Sequence, residues 1–230
     1  MFFWNFSLEK CIGYFQVSGR KVPSELQWLL DLQDVRGVIK LLDFYERADS
    51  FIYVMEKSEN CMDLYDYIDE KKTIDKEVAR NFFKQIVDVV AACHDRGIVH
   101  RDIKDENLLV DLTSQELTLI DFGAAGRLKR GDYYMFDGTR VYSPPEWIRD
   151  RRYRGEPLTV WSLGILLFDM VVGDVPFTEN HEIIKAKLKF PSNLSDGVKN
   201  LIRGCLQPEE GKRLTMEEVK RDPWLLGTVQ

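Results

Sequence analysis

Three short runs stand in fixed order in the middle of this 230-residue chain: His100-Arg101-Asp102-Ile103-Lys104-Asp105-Glu106-Asn107, then Asp121-Phe122-Gly123, then Pro144-Pro145-Glu146. Each run is weak evidence alone, but the ordered set constrains the whole region from 100 to 146. The first run leads into Leu108-Leu109-Val110 and the second follows Leu117-Thr118-Leu119-Ile120. Short apolar runs of this kind predict a small hairpin. Asn107 and Asp121 are then expected at strand ends, where a rigid backbone can hold them.

The flanks predict the rest of the architecture. Leu26, Leu29 and Leu30 fall at helical spacing behind Pro23, so a short helix is expected to start there. Residues 38–44 and 51–55 read as strands, with a polar turn over 46–50. A long amphipathic helix is predicted over 76–94, with Val78, Phe82, Ile86, Val89 and Cys93 on one face and Gly97 as its stop. Residues 160–168 are apolar nearly all round, which predicts a central buried helix. Residues 1–20 show no clear pattern. The sum is an α+β chain that is mostly helical after position 60.

Composition narrows the function classes. At 44% hydrophobic and 30% charged residues, the chain has the balance of a soluble globular protein. A formal charge of −6 argues against nucleic acid as the main partner and suits basic peptides. Cys11, Cys61, Cys93 and Cys205 form no C-x-x-C pair, so neither zinc nor a disulfide framework is expected, and a reducing compartment fits. The aromatic start, Met1-Phe2-Phe3-Trp4-Asn5-Phe6, has no basic region and does not read as a signal peptide. No run reaches the roughly 20 apolar residues of a membrane span.

The ordered set resembles that of protein kinases. The wording of 102–107, of Phe136-Asp137-Gly138-Thr139-Arg140-Val141-Tyr142-Ser143-Pro144-Pro145-Glu146 and of 160–167 is similar to the PIM family, over roughly residues 20 to 226. That resemblance implies a kinase-like α+β fold: an α-rich C-terminal lobe at 57–226 and a remnant of the β N-terminal lobe at 18–56, with 1–17 unassigned. It implies a serine/threonine kinase that uses ATP and magnesium, acts on basic Ser/Thr-containing proteins, and works as a monomer in the cytoplasm and nucleus.

The roles carried over are specific. Asp102 is the base that takes the acceptor proton, and Lys104 offsets charge on the transferring phosphate. Asn107 and Asp121 hold magnesium. Glu56 and Ser58 lie at the adenine hinge, and Glu25 matches the helix-C glutamate. Asp63, Asp66, Glu106, Asp169 and Asp174 are the acids expected to meet substrate arginines. His100, Arg101, Phe122, Gly123, and an ion pair of Glu146 with Arg213, are structural.

Four departures from the family stand out. Ser58 replaces a proline and restores a hinge N–H. Thr159 stands where most kinases, though not PIM-like ones, carry Asp. Met135 replaces an acid that pairs with the Arg of His-Arg-Asp; Asp132 or Asp137 could take its place, and otherwise Tyr133 and Thr139 become phosphosites. The lysine that should partner Glu25, and the glycine-rich phosphate loop, have no match, and Lys10 is a weak substitute. The expectation is an N-terminally truncated kinase, whose second reading is a catalytically inactive module that docks basic partners.

Overall fold

In the computed structural model, the backbone is described for residues 2–7, 14–17 and 20–229, and side chains from Val22 to Val229. Lys10 lies outside the described residues.

The N-terminal portion holds β1 (Phe2–Ser7), β2 (Tyr14–Val17), β3 (Arg20–Pro23), α1 (Ser24–Asp31), β4 (Leu41–Glu46) and β5 (Ser50–Met55). A three-stranded sheet runs in the order β1-β5-β4, with both pairings antiparallel. β2 and β3 form a separate hairpin leading into α1. Residues 1–17, which lack a clear sequence pattern, therefore supply two strands. An aromatic-rich segment favours strand, and the edge of β5 gives it a backbone partner. Pro23 caps α1 and has no N–H to leave unsatisfied there.

The predicted strand at 38–44 is displaced. Instead the Ile39 N–H donates to the Leu119 carbonyl (3.0 Å) and the Leu119 N–H donates to the Gly37 carbonyl (2.7 Å), and β4 starts only at Leu41. Gly37, with φ +85°, turns the chain onto that route, in a conformation costly for a residue with a Cβ.

Beyond the hinge come β6 (Cys61–Asp63), α2 (Leu64–Lys71), α3 (Lys76–Asp95), β7 (Ile98–Val99), β8 (Leu108–Asp111), β9 (Leu117–Leu119) and β10 (Gly126–Arg127). The chain closes with α4 (Pro145–Asp150), α5 (Gly155–Val172), α6 (Asn180–Lys185), α7 (Asp196–Cys205) and α8 (Met216–Lys220). α3 buries Phe82, Ile86, Val89 and Cys93 as its periodicity predicts, and Asp75 caps it by accepting from the Glu77 N–H. α5 is long and apolar enough for a membrane span, but it is enclosed on nearly every side by the rest of the lobe. It packs on α3, α7 and α8, and its burial explains its all-round apolar sequence. β8 pairs with both β6 and β9, and this small sheet sits under the hinge and carries Asn107 and Asp121 at its ends.

Candidate active site

The 100–107 segment leaves β7 and turns sharply. Arg101 has φ +67° and Asp121 has φ +58°, a left-handed conformation that non-glycine residues hold only when their surroundings enforce it. His100 supplies part of that enforcement. Its Nδ1 accepts from the Asp102 N–H (3.3 Å), so its Nε2 carries the proton that faces the Ile120 carbonyl (3.0 Å). Phe122 packs edge-on against the imidazole at 4.8 Å. Burial holds the His100 pKa below its usual value, so the ring is a neutral brace between the two motifs.

Asp102 is the hub of the loop. Asn107 Nδ2 donates to its carbonyl (2.8 Å) and to its Oδ2 (3.1 Å), and the Thr139 N–H donates to its Oδ1 (2.8 Å). Lys104 lies 3.9 Å from Oδ2 and makes a close ion pair with Glu106. Burial disfavours the Lys104 charge, but the Glu106 hydrogen bond and nearby Asp102 outweigh it and raise its pKa. The loop thus presents a carboxylate of fixed orientation beside a cation. The Thr139 contact was not legible in the sequence; the neighbouring Gly138 is its trace. A Cβ on Gly138 would lie 2.6 Å from the Arg101 carbonyl and 2.9 Å from the Phe136 ring.

Among the described residues Arg101 makes no ion pair with an acid. It donates to the carbonyls of Ala124 (2.6 Å) and Ala125 (3.2 Å) and lies over the Tyr133 ring at 5.5 Å. Asp132 pairs with Arg152 instead (3.3 Å), and among the described residues no ion pair joins Arg101 to Asp137. Tyr133 and Tyr153 stack at 5.3 Å, bridge each other by backbone hydrogen bonds, and pack with Phe136 and Trp147. Carbonyls and an aromatic face thus occupy the position of the missing acid. Tyr133 is buried with its hydroxyl donated to the Arg127 carbonyl, so it is closed to a modifying enzyme in this conformation.

Glu25 reaches the site from α1. Arg127 docks that helix by pairing with Asp31 (3.3 Å) and lying over the Trp28 ring at 4.9 Å. Glu25 is 5% exposed, and its Oε2 has no hydrogen-bond partner among the described residues. Burial first, and Asp121 second, push its pKa up to about 8 against a hydrogen bond from Phe122. It lines a cavity of about 60 Å³ with Ile39, Met55, Leu109, Ile120 and Asp121, closed at the hinge by Glu56 and Lys57. Glu56 is fixed by the Lys40 N–H (3.1 Å). Ser58 is not on this lining; its hydroxyl holds Asp111, whose pKa falls to about 2.

The predicted substrate acids divide. Asp66, Glu106 and Asp174 are exposed. Asp63 caps α2 by accepting from the Asp66 N–H (2.8 Å). Asp169 differs from those three: it lies within α5 and is buried against Asp105 rather than open to a substrate arginine. Burial and Asp105 raise its pKa to about 7, and Asp105, also raised by burial, accepts from the Tyr142 hydroxyl at 3.2 Å. Asp105 was missed because only its burial marks it. Thr159 bonds the Gly155 carbonyl of its own helix (2.9 Å). Arg213 and Glu146 make the expected pair, fully buried, with two contacts of 2.8 Å.

The site combines a lysine-flanked carboxylate, two oxygen donors at strand ends and an apolar slot beneath a hinge, the arrangement of a protein kinase. The protein kinase domain family matches residues 10–225, and the chain belongs to it. It is 47% identical over 192 residues to the serine/threonine-protein kinase pim-2 of Danio rerio, covering 83% of this chain and 62% of the relative. It is 40% identical over 214 residues to the serine/threonine-protein kinase prk-2 of Caenorhabditis elegans, covering 91% and 48%. Serine/threonine-protein kinase 1 of African swine fever virus is 35% identical over 214 residues, covering 92% and 71%. These likenesses are consistent with the PIM-like branch. The chain spans less than two thirds of the length of the first two relatives.

Proposed function

We propose that this chain is the catalytic lobe of a serine/threonine protein kinase that phosphorylates basic proteins, as a monomer in the cytoplasm and nucleus, with the lobe division inferred from its sequence. The observation that carries the reading is the Asp102 network. Oδ1 is held by the Thr139 N–H and Oδ2 by Asn107, which aims the carboxylate at an incoming hydroxyl. Asp102 takes the acceptor's proton, and Lys104 stands ready to offset negative charge beside it.

Magnesium and adenine fit the residues present. Asn107 spends its amide N–H on Asp102 and leaves its oxygen free, and Asp121 adds a carboxylate, the hard donors that magnesium prefers. The apolar slot of Ile39, Met55, Leu109 and Ile120 suits a flat ring. The bound nucleotide would supply the phosphoryl group. The α- and β-phosphates do not fit in the same way: among the described residues no cation pairs with Glu25.

Asp66, Glu106 and Asp174 give the acceptor side a negative rim for arginine side chains. The unpartnered Glu25 oxygen favours a second reading, an inactive module that binds basic partners. Labelled ATP with magnesium, an Arg-rich serine peptide, and its Glu-rich and tyrosine counterparts separate the two. Transfer to the Arg-rich serine peptide alone, abolished by Asp102→Asn, supports the kinase. Peptide binding without transfer supports the module.

A further inference from the structure

Charge is unevenly spread over this chain. The total is −6, yet residues 127–132 and 149–154 together hold seven basic residues and two acids, a net of +5. The fold joins these two stretches. The Tyr133 N–H donates to the Tyr153 carbonyl (2.8 Å), the Tyr153 N–H donates to the Tyr133 carbonyl (3.2 Å), and the two rings stack. Arg152 pairs with Asp132 beside the same bridge at 3.3 Å, and Arg154 is spent on Glu210. Lys129, Arg130, Arg149 and Arg151 make no ion pair among the described residues, and all four are exposed. Lys129 lies over the Tyr133 ring at 4.5 Å and Arg151 over the Trp147 ring at 5.3 Å, while Arg149 donates to the Pro208 carbonyl (3.4 Å). Aromatic faces and a carbonyl hold these charges in place without cancelling them. Tyr134 and Met135, 70% and 66% exposed, follow Tyr133 and add apolar surface.

We propose that this basic patch is a docking surface for a short Asp- or Glu-rich segment of a partner protein. Arginine forks take carboxylates through paired, charge-assisted hydrogen bonds, and four cations without acids leave room for several such contacts. The rest of the chain sets the size of the partner. Outside the two stretches it carries −11. A nucleic acid or an anionic bilayer, large and uniformly negative, is repelled by those surroundings. A short acidic segment stays within the field of the patch itself, which salt screens over about 10 Å. The acids proposed to meet substrate arginines, Asp66, Glu106 and Asp174, stand on other segments. Docking here needs no phosphoryl transfer, so it stands or falls apart from the kinase reading.

The probe is a fluorescein-labelled Glu-rich peptide, titrated by anisotropy against the 230-residue chain, with a single-stranded oligonucleotide and phosphatidylserine vesicles tested in parallel. The expected result is peptide binding that weakens at least tenfold in the double variant Arg130→Glu, Arg151→Glu. The double variant Lys84→Glu, Lys220→Glu makes the same change in net charge at exposed lysines of α3 and α8, and should bind as the parent does. Arg130→Glu alone should weaken binding severalfold, and it carries the decision if the first double variant fails to fold by circular dichroism. No peptide binding, affinity indifferent to Arg130 and Arg151, or equal loss in the two double variants overturns the proposal. Oligonucleotide or vesicle binding tighter than peptide binding, and lost in the patch variant, also overturns it by giving the patch to another partner. Asp102→Asn, which removes the proposed base, should bind the peptide as the parent does; loss of transfer with retained binding separates the two readings.

Discussion

The Thr139 N–H donates to Asp102 Oδ1 at 2.8 Å, so the segment that would receive the acceptor also orients the proposed base. Gly138 makes this contact possible, because a Cβ there would lie 2.6 Å from the Arg101 carbonyl. Gly138→Ala should displace the segment while leaving the core intact. A displacement of about 1 Å costs on the order of 100-fold in rate. Steady-state phosphorylation of a serine peptide, beside an unchanged urea midpoint, checks it; an unaffected rate counts against the coupling.

Arg213 holds the C-terminal helices to α4. Its guanidinium makes two 2.8 Å contacts to Glu146 and also donates to the Pro157 and Gln207 carbonyls. Arg213→Met leaves the Glu146 carboxylate buried and unpaired, at a cost of about 3–5 kcal/mol. Urea unfolding of the variant should show that loss. A change below about 1 kcal/mol would mean that the site relaxes to admit water.

Asp169 gives the fold a pH dependence. Its folded pKa is raised to about 7 by burial and by Asp105, against 3.8 for the free carboxyl. Between those values the folded state holds a proton that the unfolded state has released. Its contribution is therefore full below pH 3.8 and is lost as pH rises through about 7, with a slope of up to about 1.4 kcal/mol per pH unit. Asp169→Asn removes this penalty and should flatten the decline in urea stability between about pH 5 and pH 7. An identical decline in the variant assigns the titration elsewhere.

The Tyr133–Tyr153 stack, with Arg101 over the Tyr133 ring, packs part of the segment between Asp121 and Glu146 against the lobe. Tyr133→Ala removes a buried ring and the hydroxyl contact to the Arg127 carbonyl. Trypsin should then cut at Lys129 and Arg130 roughly ten times faster, because local opening free energy falls with lost packing. Unchanged cleavage would show that the aromatic cluster does not hold the segment.

The helices were legible because their periodicity is long and their caps are local: α3 runs Lys76–Asp95 as patterned, and Pro23 and Gly97 mark ends where predicted. The hairpin of β8 and β9 was legible for the same reason. The strand at 38–44 was misplaced because Val38 and Ile39 have strand-like side chains, but Ile39 spends its N–H on Leu119, a partner 80 positions away, and Val38 bonds Val35. β1 was not foreseen because its partner strand, β5, lies across the whole of α1 in sequence. Asp102, Asn107 and Asp121 could be picked out by motif order. The burial of Asp169 could not, since an Asp inside an apolar helix looks like any surface acid until the packing around Asp105 and Tyr142 is known.

The most direct test of the kinase reading is magnesium-dependent transfer from labelled ATP to an Arg-rich serine peptide by this chain and by Asp121→Asn. The account predicts transfer by the parent and a fall of roughly 10²–10³ in the variant, which loses a metal-binding carboxylate. No transfer by a parent chain that circular dichroism shows to be folded would contradict it.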